Sequence, residues 1–335
     1  MTAVAKLAGV SIATVSRALS NPERVNARTR ERVLRIVRQT GYTPNIAARQ
    51  LRAARSMTVL VVVPAMVTPF FAELFDGVDR TLSAHGYSLL VGNLLDSPEK
   101  ERRLVDLAFS GGVDGVILLN GQVPATPERS LTDSHLPTVA ISVPSEDTDM
   151  PSVLVCEREA GAEVARHLLD LGHKSFGYVA GPEDNYCEVE RWHGFSEALQ
   201  TAGIPPSKIV RLPGDFGVES GEQAALTLCR RPAAARPTAV FSASDMMAIG
   251  FMRGLREQGV NVPSDISIVG FDGIVFADYC EPRLTTMKQP KLEMSEAAVE
   301  LLMQAIKGEA LGATERMHRL KATLRIGEST TPPGA

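Results

Sequence analysis

The chain is short of the residues from which reactive sites are built. Its 335 residues include four cysteines and six histidines. Cys156, Cys187, Cys229 and Cys280 are too far apart to form a C-x-x-C pair or a metal cluster with the histidines. Reduced thiols, no metal site and no bound cofactor are the expectation. G-x-G-x-x-G after a strand, G-x-x-x-x-G-K-[ST], G-x-S-x-G and H-E-x-x-H are all missing, so catalysis has no candidate residues. Long apolar runs are missing too. The run at 59–63 is far too short to span a bilayer, and the N-terminus has no apolar signal core. Membrane insertion and secretion are disfavoured, and the cytoplasm is the expected compartment.

Acidic residues are scarce in one stretch only. The net charge of -4 by itself argues against a polyanionic partner. Before Met57, however, eleven lysines and arginines face only Glu23 and Glu31, a surplus of nine, while the remainder holds 24 basic residues against 37 acidic ones. Merely uneven surface charge is the plain alternative. So sharp a split more often marks a polyanion-binding module fused to an acidic body.

What is present fits that division. With 44% hydrophobic and 22% charged residues the chain is globular and long enough for a small domain plus a large one. Up to residue 40 the apolar pattern is helical, broken at Gly9, at Ser20-Asn21-Pro22 and at Gly41-Tyr42-Thr43-Pro44, which predicts three short helices. From Thr58 the pattern changes to short β-rich runs at 58–63, 87–93, 113–119, 138–143, 152–155, 175–180, 209–212, 239–242 and 266–270, with amphipathic helices between most of them. Continuously apolar runs such as VLVVVP fit parallel sheets covered on both faces. There are too many units for one ordinary open sheet, so the fold class is α/β: an all-α head followed by two doubly wound parallel-sheet lobes. The Pro/Thr/Gly tail after Glu328 is expected to fray.

In the head, Val4 to Arg17 has helix-turn-helix spacing. Small Ala5 lets the helices cross closely, Gly9 can take the positive φ of the turn, and Val15 packs back. Ser11 is placed to cap the second helix, which then presents Ile12, Ala13, Ser16 and Arg17 outward as major-groove readers, with Thr14 and Arg24 completing the local DNA-binding set. An ordinary αα-hairpin has similar spacings; the positive charge and the short polar side chains favour DNA. Arg17 either reads a guanine or holds a phosphate. The third helix, 27–39, carries Arg28, Arg30, Arg32, Arg35 and Arg38, each a solvated residue or a phosphate contact.

AKLAGVSIATVSRALSNPERVNARTRERV followed by GYTPNIAARQLR resembles the N-terminal signature of the lactose/galactose-repressor family. The resemblance continues in order through PFFAELFDGV, GYSLLVGN, VDGVILL, LLDLGHKSFGYVAGP, ASDMMAIG, ISIVGFDG and PRLTTMKQP, covering nearly the whole chain. It implies a DNA-binding transcriptional regulator, acting as a repressor, with a periplasmic-binding-protein-like effector domain. The implied domains are a head at 1–44, a hinge helix and linker at 45–56, and an effector-binding and dimerisation domain at 57–335. The first lobe spans about 57–155 plus 289–316, and the second about 156–288 plus 317–331. Segment 45–52 matches the family's minor-groove hinge helix, with Asn45, Ala48 and Arg49 at contact positions and Leu51 as the apolar wedge. A plain linker is the alternative. Eight residues are too few for a stable isolated helix, so ordering on DNA is expected. Relatives have a few residues ahead of the first helix and an acidic one where Ala3 stands, which implies either a start upstream of Met1 or a frayed first helix.

Ligands of doubly wound sheets meet the carboxyl ends of strands. Phe70 and Phe71 follow the first strand; they are either core aromatics or, for at least one of them, a stacking wall. Asp245 is a helix N-cap, a ligand contact, or both. Arg191 pairs with a surface acid or, as the resemblance implies, reaches into the cleft. By the same resemblance Asn185 and Cys187 lie on the effector loop, Phe216 stacks on the ligand and Asp272 accepts from its hydroxyls. The family's frequent Asp-Asn pair is Cys156-Glu157 here, which puts a sugar-diol contact at that place in doubt. NPERV and YCEPRLTTMKQP look most like the cytidine-repressor branch, so a nucleoside is the first expectation for the effector and a sugar the second. The expected partners are palindromic double-stranded operator DNA, the effector and a second copy of the chain. No heptad-like tail follows Leu324, which favours a dimer over a tetramer. The rival readings are a solute-binding protein, which needs a signal peptide and no basic head, and an α/β enzyme acting on a sugar or nucleoside.

Overall fold

The computed structural model describes residues 1–42, 55–64, 68–95, 97–119, 121–144, 150–310, 312 and 316–334. Met1–Ser56 and Met57–Ala335 are two separate compact units. The first contains α1 (Thr2–Ala8), α2 (Ile12–Ser20) and α3 (Ala27–Thr40). Gly9 ends α1 with a φ of 60°, while the side chains of Ser11 and Asn26 accept backbone N–H groups of Thr14 and Arg28 and so start α2 and α3. Val4, Ala5, Ala8, Val15, Ala18 and Val33 form the small core. The first helix is intact from Thr2, with Val4 and Ala5 buried in that core, and is not frayed. The expected hinge helix, with Asn45, Ala48, Arg49 and Leu51, lies outside the described residues.

The second unit is built on two sheets. The strands of the first half are β1 (Thr58–Val63), β2 (Ser88–Asn93), β3 (Gly115–Leu119), β4 (Thr138–Ile141) and β5 (Ser152–Val155), with α4 (Pro69–Ala84) and α5 (Pro98–Phe109) between them. Then follow α6 (Glu157–Asp170), β6 (Phe176–Val179), α7 (Tyr186–Thr201), β7 (Val210–Leu212), α8 (Val218–Cys229), β8 (Ala239–Ser242), α9 (Asp245–Glu257), β9 (Ser267–Asp272) and β10 (Thr285–Lys288). The chain ends with α10 (Lys291–Lys307), β11 (Met317–Leu320) and β12 (Thr323–Arg325).

The strand orders are β11-β5-β4-β3-β1-β2 and β12-β10-β9-β8-β6-β7. Every pairing is parallel except that of β10 with β12. Both sheets therefore repeat one doubly wound topology, in which the order reverses beside β1 and beside β6, and a crevice opens at the carboxyl ends there. β3, β5, β6, β8 and β9 are buried along their whole length, as strands covered on both faces must be. The chain passes between lobes after β5, after β10 and after β11. No single helix among the described residues is long and apolar enough to cross a membrane.

Two expectations are corrected. Residues 317–320 do not belong to the second lobe: they form β11, which pairs with β5 on the edge of the first sheet, so the last crossover follows Leu320. The tail does not fray either. Ser329 is fully buried, accepting the Thr285 N–H at 2.8 Å and donating to the Ile268 carbonyl at 2.6 Å, and the Thr331 N–H donates to Ser267 Oγ at 3.0 Å. Polar residues hold this segment to the sheet, which a hydropathy pattern does not register.

Candidate functional site

Ser11, Ile12, Ala13 and Arg17 are exposed on α2, with Thr14 and Ser16 half-buried beside them. Ile12 stands 48% exposed, an apolar side chain held in water on a short helix. Ser11 Oγ accepts the Thr14 N–H at 3.1 Å and shares a hydrogen bond with the Thr14 hydroxyl at 2.9 Å, so its role here is the cap. Arg17 Nε donates to the Ala13 carbonyl at 3.3 Å, which lays the side chain along the helix. Arg24 is exposed on the turn between α2 and α3, and Arg28, Arg32, Arg35 and Arg38 are exposed along α3. Arg30 Nη1 reaches the Pro22 carbonyl at 3.4 Å and ties α3 to that turn. The face is cationic and helical, of a size to enter a major groove.

In the second unit a cavity of ≈ 390 Å³ lies where the strands of both sheets end. Of the eight residues expected at the effector, seven line it: Phe70, Phe71, Asn185, Cys187, Arg191, Phe216 and Asp272. Asp245 does not. It is fully buried, one residue past the true N-cap Ser244, and its carboxylate accepts from the Thr286 hydroxyl at 2.6 Å and the Ile274 N–H at 2.9 Å. Burial and the nearby Asp272 charge push its pKa up. Asp245 thus braces the turn after β9 rather than touching the cavity.

Local structure places the aromatic walls. Phe70 and Phe71 are in the first turn of α4, behind Pro69, and meet edge to face at 5.5 Å between ring centres. Both rings are half-buried, pack against the main hydrophobic core and also line the cavity, so the two alternatives for this pair coexist. Phe216 has a φ of 68°, a strained value for a non-glycine residue, and its carbonyl accepts from Ser244 Oγ at 3.2 Å. Its ring lies over Gly181, where any Cβ would stand 2.3 Å from it.

The polar end is built around Arg191 and Asp272. Arg191 lies in the second turn of α7, and of the two residues expected on a loop Asn185 is the helix N-cap and Cys187 is in its first turn. Its Nε and Nη2 donate to Glu157 at 2.7 and 3.1 Å, Nη1 donates to the Ala243 carbonyl at 2.7 Å, and the guanidinium lies 3.7 Å from the Phe271 ring centre. Burial lowers the pKa of this group, yet the Glu157 carboxylate outweighs burial and holds it above the ordinary arginine value. Asp272, with a φ of 118°, accepts from Gln289 Nε2 at 2.8 Å, and Lys291 Nζ donates to the carbonyls of Asp272 and Gly273 at 2.8 and 2.9 Å. Burial pushes the Asp272 carboxyl up to about 6, against the opposing pull of Arg191, Lys291 and Gln289.

Side chains join the lobes at this cavity. The Cys187 thiol donates to the Ser142 carbonyl at 3.1 Å, and Lys291, on α10 of the first lobe where it pairs with Glu73 at 3.1 Å, donates to the Asp272 and Gly273 carbonyls of the second. Thr68 Oγ1 and Gln289 Oε1 are buried without a hydrogen-bond partner among the described residues, and both residues line the cavity. Unpaired buried polar atoms are costly, so their presence around a cavity indicates a polar ligand. Sequence reasoning missed Thr68, Gln289, Glu157, Ser142 and Lys291. Their role depends on which buried atoms lack or find partners, although Gln289 does sit inside the quoted PRLTTMKQP. Among the described residues no group of three His, Cys, Asp or Glu side chains could hold a metal.

Comparison with known proteins yields two family matches: residues 1–45 match the bacterial regulatory proteins of the lacI family, and residues 165–330 match a periplasmic binding protein-like domain. The chain is 36% identical to the HTH-type transcriptional repressor CytR of Escherichia coli strain K12, across 98% of this chain and 96% of that protein. It is 30% identical to catabolite control protein A of Priestia megaterium, over 95% of this chain and 96% of that one. Among solved structures, the transcriptional regulator CelR in complex with cellobiose is similar at 32% identity and a TM-score of 0.74, covering 97% and 98% of the two chains. The lac repressor dimer bound to operator and the anti-inducer ONPF is similar at 27% identity and a TM-score of 0.82, covering 98% of each chain.

Proposed function

Because the chain belongs to the lacI family of bacterial regulatory proteins, it is a DNA-binding transcriptional regulator under the control of a small-molecule effector, not an enzyme, and we propose how its residues divide that work. The repressor reads a palindromic operator with α2 of each of two copies: Ile12, Ala13, Ser16 and Arg17 face the bases, and Arg24 and the arginines of α3 face the phosphates. The effector lies in the cavity between the lobes, its ring against Phe70, Phe71 and Phe216, its hydroxyls on Asp272, Arg191, Gln289 and Thr68.

The observation that carries this reading is the pair of orphaned polar atoms, Thr68 Oγ1 and Gln289 Oε1, in a cavity walled by aromatics at the carboxyl ends of both sheets. Aromatic faces suit a planar base or the apolar face of a sugar, and the charged end suits a diol. A nucleoside has both parts, and the resemblance of NPERV and YCEPRLTTMKQP to the cytidine-repressor branch supports it. A free sugar is the second reading, favoured by relatives whose structures hold cellobiose and ribose.

A second copy is expected on the apolar patch beside α9, where Val275, Phe276 and Tyr279 are 52%, 52% and 82% exposed. Side chains of this size in water favour burial against a partner. The test is a thermal-shift screen of the full chain with nucleosides and sugars, followed by operator binding with and without each hit. A cytidine or ribose hit that alters operator affinity is the expected result. Stabilisation by none of them, with normal DNA binding, overturns the assignment of the cavity.

A further inference from the structure

The effector cavity holds one arginine, and that arginine already has its anion. Among the described residues lining the cavity the charged side chains are Arg191, Asp215 and Asp272. Glu157 does not line the cavity, yet it grips Arg191 from behind through two hydrogen bonds at 2.7 and 3.1 Å, and both residues are about 95% buried or more. A third donor of Arg191 goes to the Ala243 carbonyl at 2.7 Å. A guanidinium has five N–H donors, so two remain for a ligand. They can serve a hydroxyl or carbonyl oxygen, but the charge behind them is cancelled. A second buried cation, Lys291, is committed to the Asp272 and Gly273 carbonyls and to Glu73.

Glu157 itself is firmly placed. It opens α6 immediately after the crossover from β5, in the first helical turn, where a carboxylate is favoured by the helix dipole. The α6–α7 approach that brings it to Arg191 is close, because a Cβ on Gly161 would lie 2.3 Å from the Arg191 carbonyl. The pair is therefore built into the fold behind the wall and is not a chance surface contact.

We infer that Glu157 makes this cavity reject anions, so that the effector is an uncharged, hydroxyl-bearing ring and not its phosphorylated or carboxylated counterpart. The inference rests on the cavity being the effector site and names the class that site accepts. An incoming phosphate meets the buried Asp272 and the exposed Asp215 with no uncompensated cation to offset their repulsion. A neutral hydroxyl loses nothing, since both remaining Arg191 donors and the Asp272 acceptor are complementary to it. Specificity for an unphosphorylated metabolite thus comes from a residue that the ligand never touches.

The test uses the full chain and three matched probes: cytidine, its 5′-carboxylate, which adds charge with little bulk, and its 5′-monophosphate. Adenosine and ribose with their acid counterparts form parallel sets. In the wild type the neutral member binds at least about tenfold more tightly than either acid by calorimetry. Glu157→Gln frees the arginine charge and narrows that ratio by about tenfold, while Glu157→Asp, which keeps the anion, preserves it. Acids binding as tightly as neutral probes to the wild type overturn the inference while leaving the cavity assignment standing. So does a ratio unchanged in Glu157→Gln protein that still binds the neutral probe and operator. Binding of no probe of either charge overturns the cavity assignment and the inference with it. If Glu157→Gln does not fold, the wild-type ratio for the carboxylate decides alone.

Discussion

Asp272 sits at a φ of 118° at the end of a fully buried strand, with its carboxylate facing a cavity and its carbonyl gripped by Lys291. A strained backbone beside a raised pKa is where function and stability pull apart. Its value of about 6 lies above the ordinary 3.8, so the fold disfavours the ionised form. The stability that Asp272 contributes is complete below pH 3.8 and lost as pH rises through about 6. Binding runs the other way, because effector hydroxyls donate to the ionised carboxylate. Effector affinity is expected to fall about tenfold between pH 7.5 and pH 5, as the competent fraction shrinks; calorimetry showing a flat profile removes this carboxylate from the contact. Asp272→Ala should leave operator affinity intact and abolish the effector response in a gel-shift titration. Arg17→Ala should weaken operator binding and relax preference at one base pair if the residue reads a base, whereas an equal loss on all sequences assigns it to phosphate. At this scale the alternation of strand and loop was enough to find residues that follow strand ends, such as Phe70 and Asp272, whereas Arg191 was legible only through the family resemblance. Asp245 stands on the same kind of strand end yet faces the turn, because the direction of one side chain is set by the tertiary packing around Gly270, where a Cβ would lie 2.2 Å from the Asp245 carboxylate.

Helices α6 and α7 carry the Glu157–Arg191 pair only because they pack almost backbone to backbone. A Cβ at Gly194 would stand 1.9 Å from the Arg158 carbonyl, and one at Gly161 would stand 2.3 Å from that of Arg191. Backbone cannot yield as a flexible side chain can. Gly194→Ala is expected to destabilise the protein by about 1–3 kcal/mol in urea unfolding and to weaken effector binding by shifting Arg191; wild-type values for both would show that the helices have room to part. Replacing Arg191 by Ala leaves Glu157 buried and unpaired, for which the expected loss is larger, about 3–5 kcal/mol. Elements with strong hydropathy were legible from the sequence. All nine β-rich runs became strands, to within a few residues at their ends. β10, β11 and β12 were not foreseen: β10 buries two threonines beside its one apolar residue, Met287, β11 is mostly exposed and β12 has only three residues, so none carries a run of buried apolar residues and all are defined by the partners they pair with.

The whole molecule joins a strongly basic head to an acidic sensor, and the excess of acidic over basic residues, 37 against 24, confined to the region from Met57 onward, keeps net charge low without neutralising the head. DNA affinity should therefore be steeply salt-dependent, falling about a thousandfold or more between 50 and 200 mM salt if six or more phosphates are contacted. Filter binding that is insensitive to salt would contradict an electrostatic head. Tyr279→Asp places a charge on the exposed apolar patch and is expected to convert a dimer to a monomer in sedimentation, with operator affinity lost alongside; an unchanged sedimentation coefficient places the dimer contact elsewhere. The sequence alone determined the charge split, the helix-turn-helix with its Gly9 turn and Ser11 cap, and the class of the two lobes, because each depends on local spacing, on composition or on motifs that keep one order along the chain. Only the tertiary structure decided that β11 crosses back to the first sheet, that the tail docks, and that Arg191 is answered by Glu157, since these depend on residues far apart in the chain meeting in a buried place where an unpaired charge or hydrogen-bonding group cannot be left.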